Sequence, residues 1–180
     1  DTYHPFKGCS ALQNIHIGPL VQSLPMLAFY NLPVKNVTFG NDITSLSNYC
    51  FYNCDRLKSI DITEPITGTG NYTFSNCDSL TQVNFPSTLI SLGNHSFSNC
   101  TQLSTVTFPN SLTTIYNYAF IDCTNLSEVT IPQSLTYLSN NVFQNCTNLS
   151  TLNWNAQNLP TYKYYANSTT YNLTSSSNKL

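Results

Sequence analysis

The sequence predicts a parallel solenoid whose coils are about 23 residues long, and three observations support this. Five cysteines from Cys54 to Cys146 recur at intervals of 23 residues, and the residues around them recur as well. A phenylalanine stands three residues before each of these cysteines, and a β-branched or aromatic pair follows six and eight residues after it. A fixed period of this length is typical of solenoids, in which stacked coils bury one continuous core.

The first strand of each coil is predicted from the apolar pair that follows the cysteine position. Its period of two, rich in β-branched and aromatic residues, indicates a short strand with one buried face. In three coils a proline comes next and ends the strand, because proline has no N–H group for a ladder. The pairs are Ile15/Ile17, Val37/Phe39, Ile60/Ile62, Val83/Phe85, Val106/Phe108, Val129/Ile131 and Leu152/Trp154, and the prolines are Pro86, Pro109 and Pro132.

The rest of each coil is predicted to turn back on itself within a few residues. A second apolar pair, such as Leu89 and Leu92, indicates a second short extended segment. The Asn, Tyr, Ser and Gly residues before the next phenylalanine favour a tight corner that is too short for a full helix. The fold class is therefore a solenoid of short parallel β-strands with turns and short helical or 3-10 corners.

The domain organisation follows from where the period holds. We expect a solenoid of about seven repeats over residues 1–166 and a polar Ser/Thr/Asn-rich tail or stalk over residues 167–180. Leu32 occupies the cysteine position of the second repeat, and the repeat that starts at Cys54 is irregular at residues 63–70. The chain begins with Asp1 rather than Met and enters in mid-repeat, so we expect a processed protein or a trimmed segment.

The composition excludes several classes of partner. Only 8% of the residues are charged, against roughly 25% in an ordinary soluble protein, and the net charge is −2. Such a chain has no basic surface for nucleic acid. It also has no apolar run of about 18 residues, so we expect no direct membrane insertion.

The seven cysteines are predicted to be buried free thiols rather than disulfides or metal ligands. Leu32 replaces cysteine in its own position, which a bridge or a ligand would not tolerate. Stacked residues of a parallel solenoid lie about 4.8 Å apart with parallel side chains, whereas the Cβ atoms of a disulfide converge to about 3.8 Å. Cys50 falls at a position that carries small residues in other coils. No metal and no cofactor are expected.

The asparagine before each cysteine has two possible roles, a binding ladder or a structural one. We favour the structural role, in which the side chain bonds to backbone groups that the corner leaves unpaired. Several of these asparagines also begin N-glycosylation sequons. We expect Asn99 and Asn145 to lie in the buried corner, so that Asn167 and Asn172 in the tail are the preferred sites of modification.

No catalytic constellation is recognisable, and we expect a protein that is not an enzyme. The sequence has no HExxH, GxSxG or phosphate-loop motif, and its three histidines fall at three different positions of the repeat. The eight acidic residues are also scattered. An enzyme built on the irregular segment 63–70 stays open as a third, weaker alternative.

The candidate ligand-binding residues are those that point outward from the first strand of each coil, a surface called here the strand face. They are short and polar, with few charges, and are suited either to docking a protein or glycan or simply to solvation with β-favouring threonines. They comprise Asn36, Thr38, Ser59, Asp61, Gln82, Asn84, Thr105, Thr107, Glu128 and Thr130.

The repeat resembles the BspA-like leucine-rich repeats of microbial surface proteins. The segments 119–126 (Ala-Phe-Ile-Asp-Cys-Thr-Asn-Leu) and 129–136 (Val-Thr-Ile-Pro-Gln-Ser-Leu-Thr) carry the resemblance best, and it covers about residues 6–154. The family usually has Ile-Gly after the second apolar segment, where this chain has Leu92-Gly93 once. The resemblance implies a leucine-rich-repeat solenoid on a secreted or cell-surface protein, often one implicated in adhesion.

These inferences together predict a non-enzymatic recognition or adhesion module that is extracellular or displayed on the cell surface. Its partners would be proteins or glycans of a host or of neighbouring cells, bound through the strand face. The alternative is a structural spacer or stalk without a ligand of its own. Bulky replacements on the strand face would weaken binding by a recognition module and would leave a spacer unaffected.

Overall fold

The computed structural model describes residues 4–63 and 65–157. They form a parallel β-solenoid of about six turns of ~23 residues, which confirms the predicted fold class. The predicted tail, the domain boundary at residue 166, and Asn167 and Asn172 lie outside the described residues. The central coils each contribute one strand to each of two sides of the solenoid.

The strands are numbered in chain order. Those of the strand face are β1 (Asn14–His16), β2 (Asn36–Thr38), β4 (Ser59–Asp61), β6 (Gln82–Asn84), β8 (Thr105–Thr107), β10 (Glu128–Ile131) and β12 (Thr151–Trp154). The other side, called here the second sheet, comprises β3 (Ser45–Leu46), β5 (Gly68–Thr69), β7 (Ser91–Leu92), β9 (Thr114–Ile115) and β11 (Tyr137–Leu138).

The two sides differ in the continuity of their hydrogen bonding. The second sheet is one five-stranded parallel sheet in the order β11-β9-β7-β5-β3. The strand face is divided into β1-β2, β4-β6 and β12-β10-β8, so its ladder is broken between β2 and β4 and between β6 and β8. Every pair formed is parallel, and its partners lie one coil apart, as expected for a solenoid of short parallel strands.

The corners contain turns, and no helical or 3-10 residue occurs among those described, so that detail of the prediction is wrong. Residues with positive φ recur twice per corner, as at Tyr72 (56°) and Asn76 (59°). They direct N–H groups toward the next coil instead of back along a helix. Phe74 and Asn76 thus donate to the carbonyls of Ser96 and Ser98, each at 2.8 Å.

The asparagine before each cysteine is structural, as predicted, but its side chain does not bond to the backbone as expected. Asn99 has φ 57°, a left-handed conformation that asparagine tolerates better than most residues. Its Nδ2 donates to Asn76 Oδ1 at 2.9 Å, and Asn145 Nδ2 donates to Asp122 Oδ1 at 2.7 Å. Asn99 and Asn145 are exposed, so their predicted burial is wrong.

The core is a set of stacked columns, one residue from each coil. The phenylalanine column comprises Phe6, Phe29, Phe51, Phe74, Phe97, Phe120 and Phe143, with neighbouring ring centroids 5.2 to 5.7 Å apart. The leucines that follow the cysteines form a second column, and Leu57, Leu80, Leu103 and Leu126 are fully buried. Burying one such side chain contributes about 1.5–3 kcal/mol, so the columns hold the coils together.

The thiols confirm one prediction and correct another. Six cysteines are buried and unpaired, and each of those in the regular column donates to a phenylalanine carbonyl of the preceding coil, as Cys100 does to Phe74 at 3.2 Å. Burial raises the pKa of Cys54 and Cys146 to about 12. Cys9 is exposed, because no described coil covers the first repeat.

This arrangement predicts that only one of the seven thiols reacts rapidly in the native protein. We expect a thiol reagent such as DTNB at pH 8 to modify Cys9 within minutes and to modify the other six only after denaturation. The buried thiols are inaccessible, and their raised pKa removes the reactive thiolate. Rapid reaction of a Cys9→Ser variant under native conditions would contradict the buried column.

Candidate binding face

The strand face presents the predicted residues outward because side chains alternate along a strand. In β4, for example, Ile60 is buried between the exposed Ser59 and Asp61, and β6 repeats this pattern around Val83. Nine of the ten predicted residues are exposed, and Thr130 is half-buried. The structure thus places all ten on one side of the solenoid.

Many of these side chains bond to each other within a sheet segment. Asn36 Nδ2 donates to Asn14 Oδ1 at 2.7 Å, and His16 Nδ1 lies 2.8 Å from Thr38 Oγ1. Asn84 donates to the Asp61 carboxylate. On the last segment Asn153 Nδ2 donates to Glu128 Oε1 at 2.8 Å. Part of the hydrogen-bonding capacity of the strand face is therefore used internally.

The break between β6 and β8 also removes the hydrogen bonds that flank the strands elsewhere. Thr81 donates its N–H to Lys58 O at 2.9 Å, and Ser127 donates its N–H to Ser104 O at 3.1 Å. The hydroxyls of Thr81 and Ser127 donate to the same carbonyls. At the break itself, Ser104 donates neither its N–H nor its hydroxyl to the Thr81 carbonyl. The Ser104 N–H and the Thr81 carbonyl are therefore unpaired among the described residues, and both residues are exposed.

A groove of about 520 Å³ lies at this break. It is lined by Thr81, Gln82, Val83, Asn84, Phe85, Ser104, Thr105 and Thr107. Four of these were predicted as candidate residues, namely Gln82, Asn84, Thr105 and Thr107. The other four were missed. Thr81 and Ser104 precede the strands, and Val83 and Phe85 were placed in the core.

The groove is lined by neutral groups. Its side chains are hydroxyls, amides and two apolar residues, with no lysine, arginine or carboxylate among them. The carboxylate of Asp61 lies next to it and accepts from Asn84. The site therefore offers many hydrogen-bond donors and acceptors and carries no positive charge.

One corner of the solenoid carries an aromatic ladder that sequence reasoning did not identify. The rings of Tyr49, Tyr72, His95 and Tyr118 stack on each other with centroids 4.5 to 4.8 Å apart. Burial in this stack lowers the pKa of His95. Because the inner rings cover each other's faces, the ladder has a structural role and presents mainly ring edges.

The structure gives no support to a catalytic or metal centre in residues 4–63 and 65–157. No group of three or more His, Cys, Asp or Glu side chains there could hold a metal ion. Within the irregular segment, Gly68–Thr69 forms β5, and the Thr69 hydroxyl is buried and accepts the N–H of Gly93 at 3.0 Å. Nor does this part of the chain contain a helix long and apolar enough to cross a membrane.

Comparison with known families agrees with this architecture. The sequence matches the BspA type Leucine rich repeat region in six copies, over residues 2–89 and 67–178. The chain belongs to the BspA-type leucine-rich repeat family. This BspA-type chain has no significant match among curated proteins.

Solved structures show the same fold. A leucine-rich repeat protein of T. pallidum (TpLRR) aligns with a TM-score of 0.59 at 21% identity, covering 84% of this chain and 78% of that one. A leucine-rich repeat protein from Bacteroides ovatus gives 0.53 at 25%, covering 81% and 50%. The pneumococcal vaccine antigen PcpA gives 0.51 at 18%, covering 79% and 29%. The BspA-type chain thus spans about half of the B. ovatus protein and less of PcpA.

Proposed function

We propose that this BspA-type repeat chain is a non-enzymatic recognition or adhesion module that is extracellular or displayed on a cell surface. Its partner is a protein or glycan of a host or of a neighbouring microbe, and it binds through the strand face. The observation that carries the proposal is the open groove in this face, where the hydroxyls of Ser104, Thr105 and Thr107 and two backbone groups have no partner among the described residues.

Three further observations support the proposal. The outward residues of neighbouring strands are held in register, so the face is a rigid array that needs little ordering on binding. The name of PcpA describes a vaccine antigen, which is consistent with surface exposure of a related solenoid. Burial of six thiols also protects them in an oxidising extracellular environment.

A structural spacer is the second candidate, and the side-chain pairs of the strand face favour it. The pairs Asn14/Asn36, Asp61/Asn84 and Glu128/Asn153 satisfy each other across neighbouring strands and strengthen the stack. A spacer would need this stiffness and no ligand. The two functions therefore differ in whether the outward side chains matter for anything other than stability.

A binding experiment with matched charge reversals separates them. We expect residues 1–180 to bind saturably to at least one member of a panel of purified extracellular-matrix proteins and immobilised glycans, measured by biolayer interferometry. Reversing the two acids of the face (Asp61→Arg with Glu128→Arg) should weaken this binding at least about tenfold, or about 1.4 kcal/mol. Both residues lie on the strand face and are exposed.

The control is Asp42→Arg with Asp55→Arg, which changes the net charge equally at exposed positions outside the strands. Equal loss in both variants would indicate a nonspecific charge effect and contradict a site on the strand face. Absence of binding by the folded wild-type chain across the panel would favour the spacer.

A further inference from the structure

We propose that the groove between β6 and β8 binds a neutral glycan. The inference rests on the proposed recognition function and assigns its ligand class and its place on the strand face. The fold fixes the position of the two coils that form the groove, because they are joined on the opposite side by the pairing of β7 with β9. They are joined at the corner as well, where Phe97 donates its N–H to Ala119 O at 2.8 Å.

The open backbone groups favour a ligand with hydroxyls. Between the next two coils the equivalent groups bond directly, because the Ser127 N–H donates to the Ser104 carbonyl. At the break, the Thr81 carbonyl needs a donor and the Ser104 N–H needs an acceptor. A hydroxyl can donate and accept at once, so one sugar hydroxyl can replace the missing bond.

The side chains of the groove extend this match. Gln82 Nε2 donates to Asn84 Oδ1 at 3.1 Å, and Asn84 Nδ2 donates to Asp61, which leaves the Gln82 carbonyl and one N–H of each amide for a ligand. Thr105 and Thr107 present hydroxyls from the opposite wall. All four can both donate and accept, as can the hydroxyls of a pyranose. The half-buried ring of Phe85 also lines the groove, and its exposed part offers an apolar surface against which the C–H groups of a sugar can pack.

The absence of charge selects against other ligands. No lysine or arginine lines the groove, so the negative charge of a sialylated or sulfated glycan would have no positive partner there. The Asp61 carboxylate beside the groove would also repel it. A protein partner would instead require deep apolar pockets for aromatic or arginine anchors. The groove offers one partly exposed aromatic ring between polar walls, which fits a neutral oligosaccharide better.

The test uses a printed array of neutral, sialylated and sulfated oligosaccharides with residues 1–180. We expect neutral oligosaccharides to bind, and Thr107→Phe, which fills the groove, to weaken their binding at least tenfold in titration calorimetry. Thr44→Phe makes the same replacement at an exposed position outside the strand face, just before β3 of the second sheet, and should leave the affinity unchanged. Gln82→Met keeps the side-chain volume but removes the amide, and it should also weaken binding. This variant serves as the test if Thr107→Phe folds poorly.

The outcomes separate this inference from the proposed function. Binding of neutral oligosaccharides that is lost in Thr107→Phe and kept in Thr44→Phe supports both. Binding lost equally in both variants overturns the groove. Binding confined to anionic glycans or to proteins overturns the groove and leaves a recognition function of the strand face. Neutral-glycan binding that neither replacement affects overturns the groove. No binding to glycan or matrix protein overturns both.

Discussion

Replacing Phe97 by alanine is expected to destabilise the solenoid by about 3–5 kcal/mol. This loss is a large part of the unfolding free energy of a typical domain, about 5–15 kcal/mol. Phe97 is fully buried, and its ring stacks between Phe74 and Phe120 at 5.2 and 5.3 Å. Phe85 also contacts it edge-on at 5.7 Å. In a solenoid each coil is stabilised by its two neighbours, so a cavity in a central coil weakens both interfaces.

The measurement is urea unfolding followed by circular dichroism, with Phe6→Ala as the control. Phe6 belongs to the same column, but it is 41% exposed and its ring stacks only on Phe29 among the residues described. We expect its removal to cost about a third of the Phe97 value, because less surface leaves water there. Equal losses for the two variants would show that the column does not stabilise the central coils in this way.

The repeat made most of the core predictable from the sequence. Its period assigns Phe74, Leu80, Leu89 and Leu92 to buried positions, and all four are fully buried. The prediction succeeds because one pattern is repeated many times, so each position is tested several times within one chain. It fails for Cys9, because burial in a solenoid depends on a neighbouring coil as well as on residue type.

The corners and the groove could not be predicted in the same way. Tyr72 adopts φ 56°, which tyrosine rarely does, and stacking on Tyr49 and His95 offsets this cost. The break beside β6 depends on the separation of two coils. Gln82 and Asn84 are of the same polar type as the outward residues of strands that do pair, so nothing in the sequence marks the groove.

Replacing Gly93 by alanine is the second change with a large expected effect. Overpacking destabilises a protein by about 1–3 kcal/mol, and we expect a value near the upper end of this range. A Cβ atom at this position would lie 2.4 Å from the Gly70 carbonyl oxygen and 2.9 Å from that of Thr69. Both atoms belong to the backbone of the preceding coil, so neither can rotate away. The Gly93 N–H also donates to the Thr69 hydroxyl, and any displacement would weaken that bond.

Gly18→Ala is the matched control, measured by the same urea unfolding. A Cβ atom there meets nothing within 4 Å, and the backbone of Gly18 does not require glycine. Alanine should therefore be neutral or stabilise by up to about 1 kcal/mol, because it restricts the unfolded chain. A Cβ atom on Gly70 would likewise lie 2.6 Å from the Asn48 nitrogen of the coil before it, so the close approach extends over both of these junctions. The following coils carry Tyr116 and Ser139 at this position. If the two alanine variants were equally stable, the coils would have to separate there at little cost.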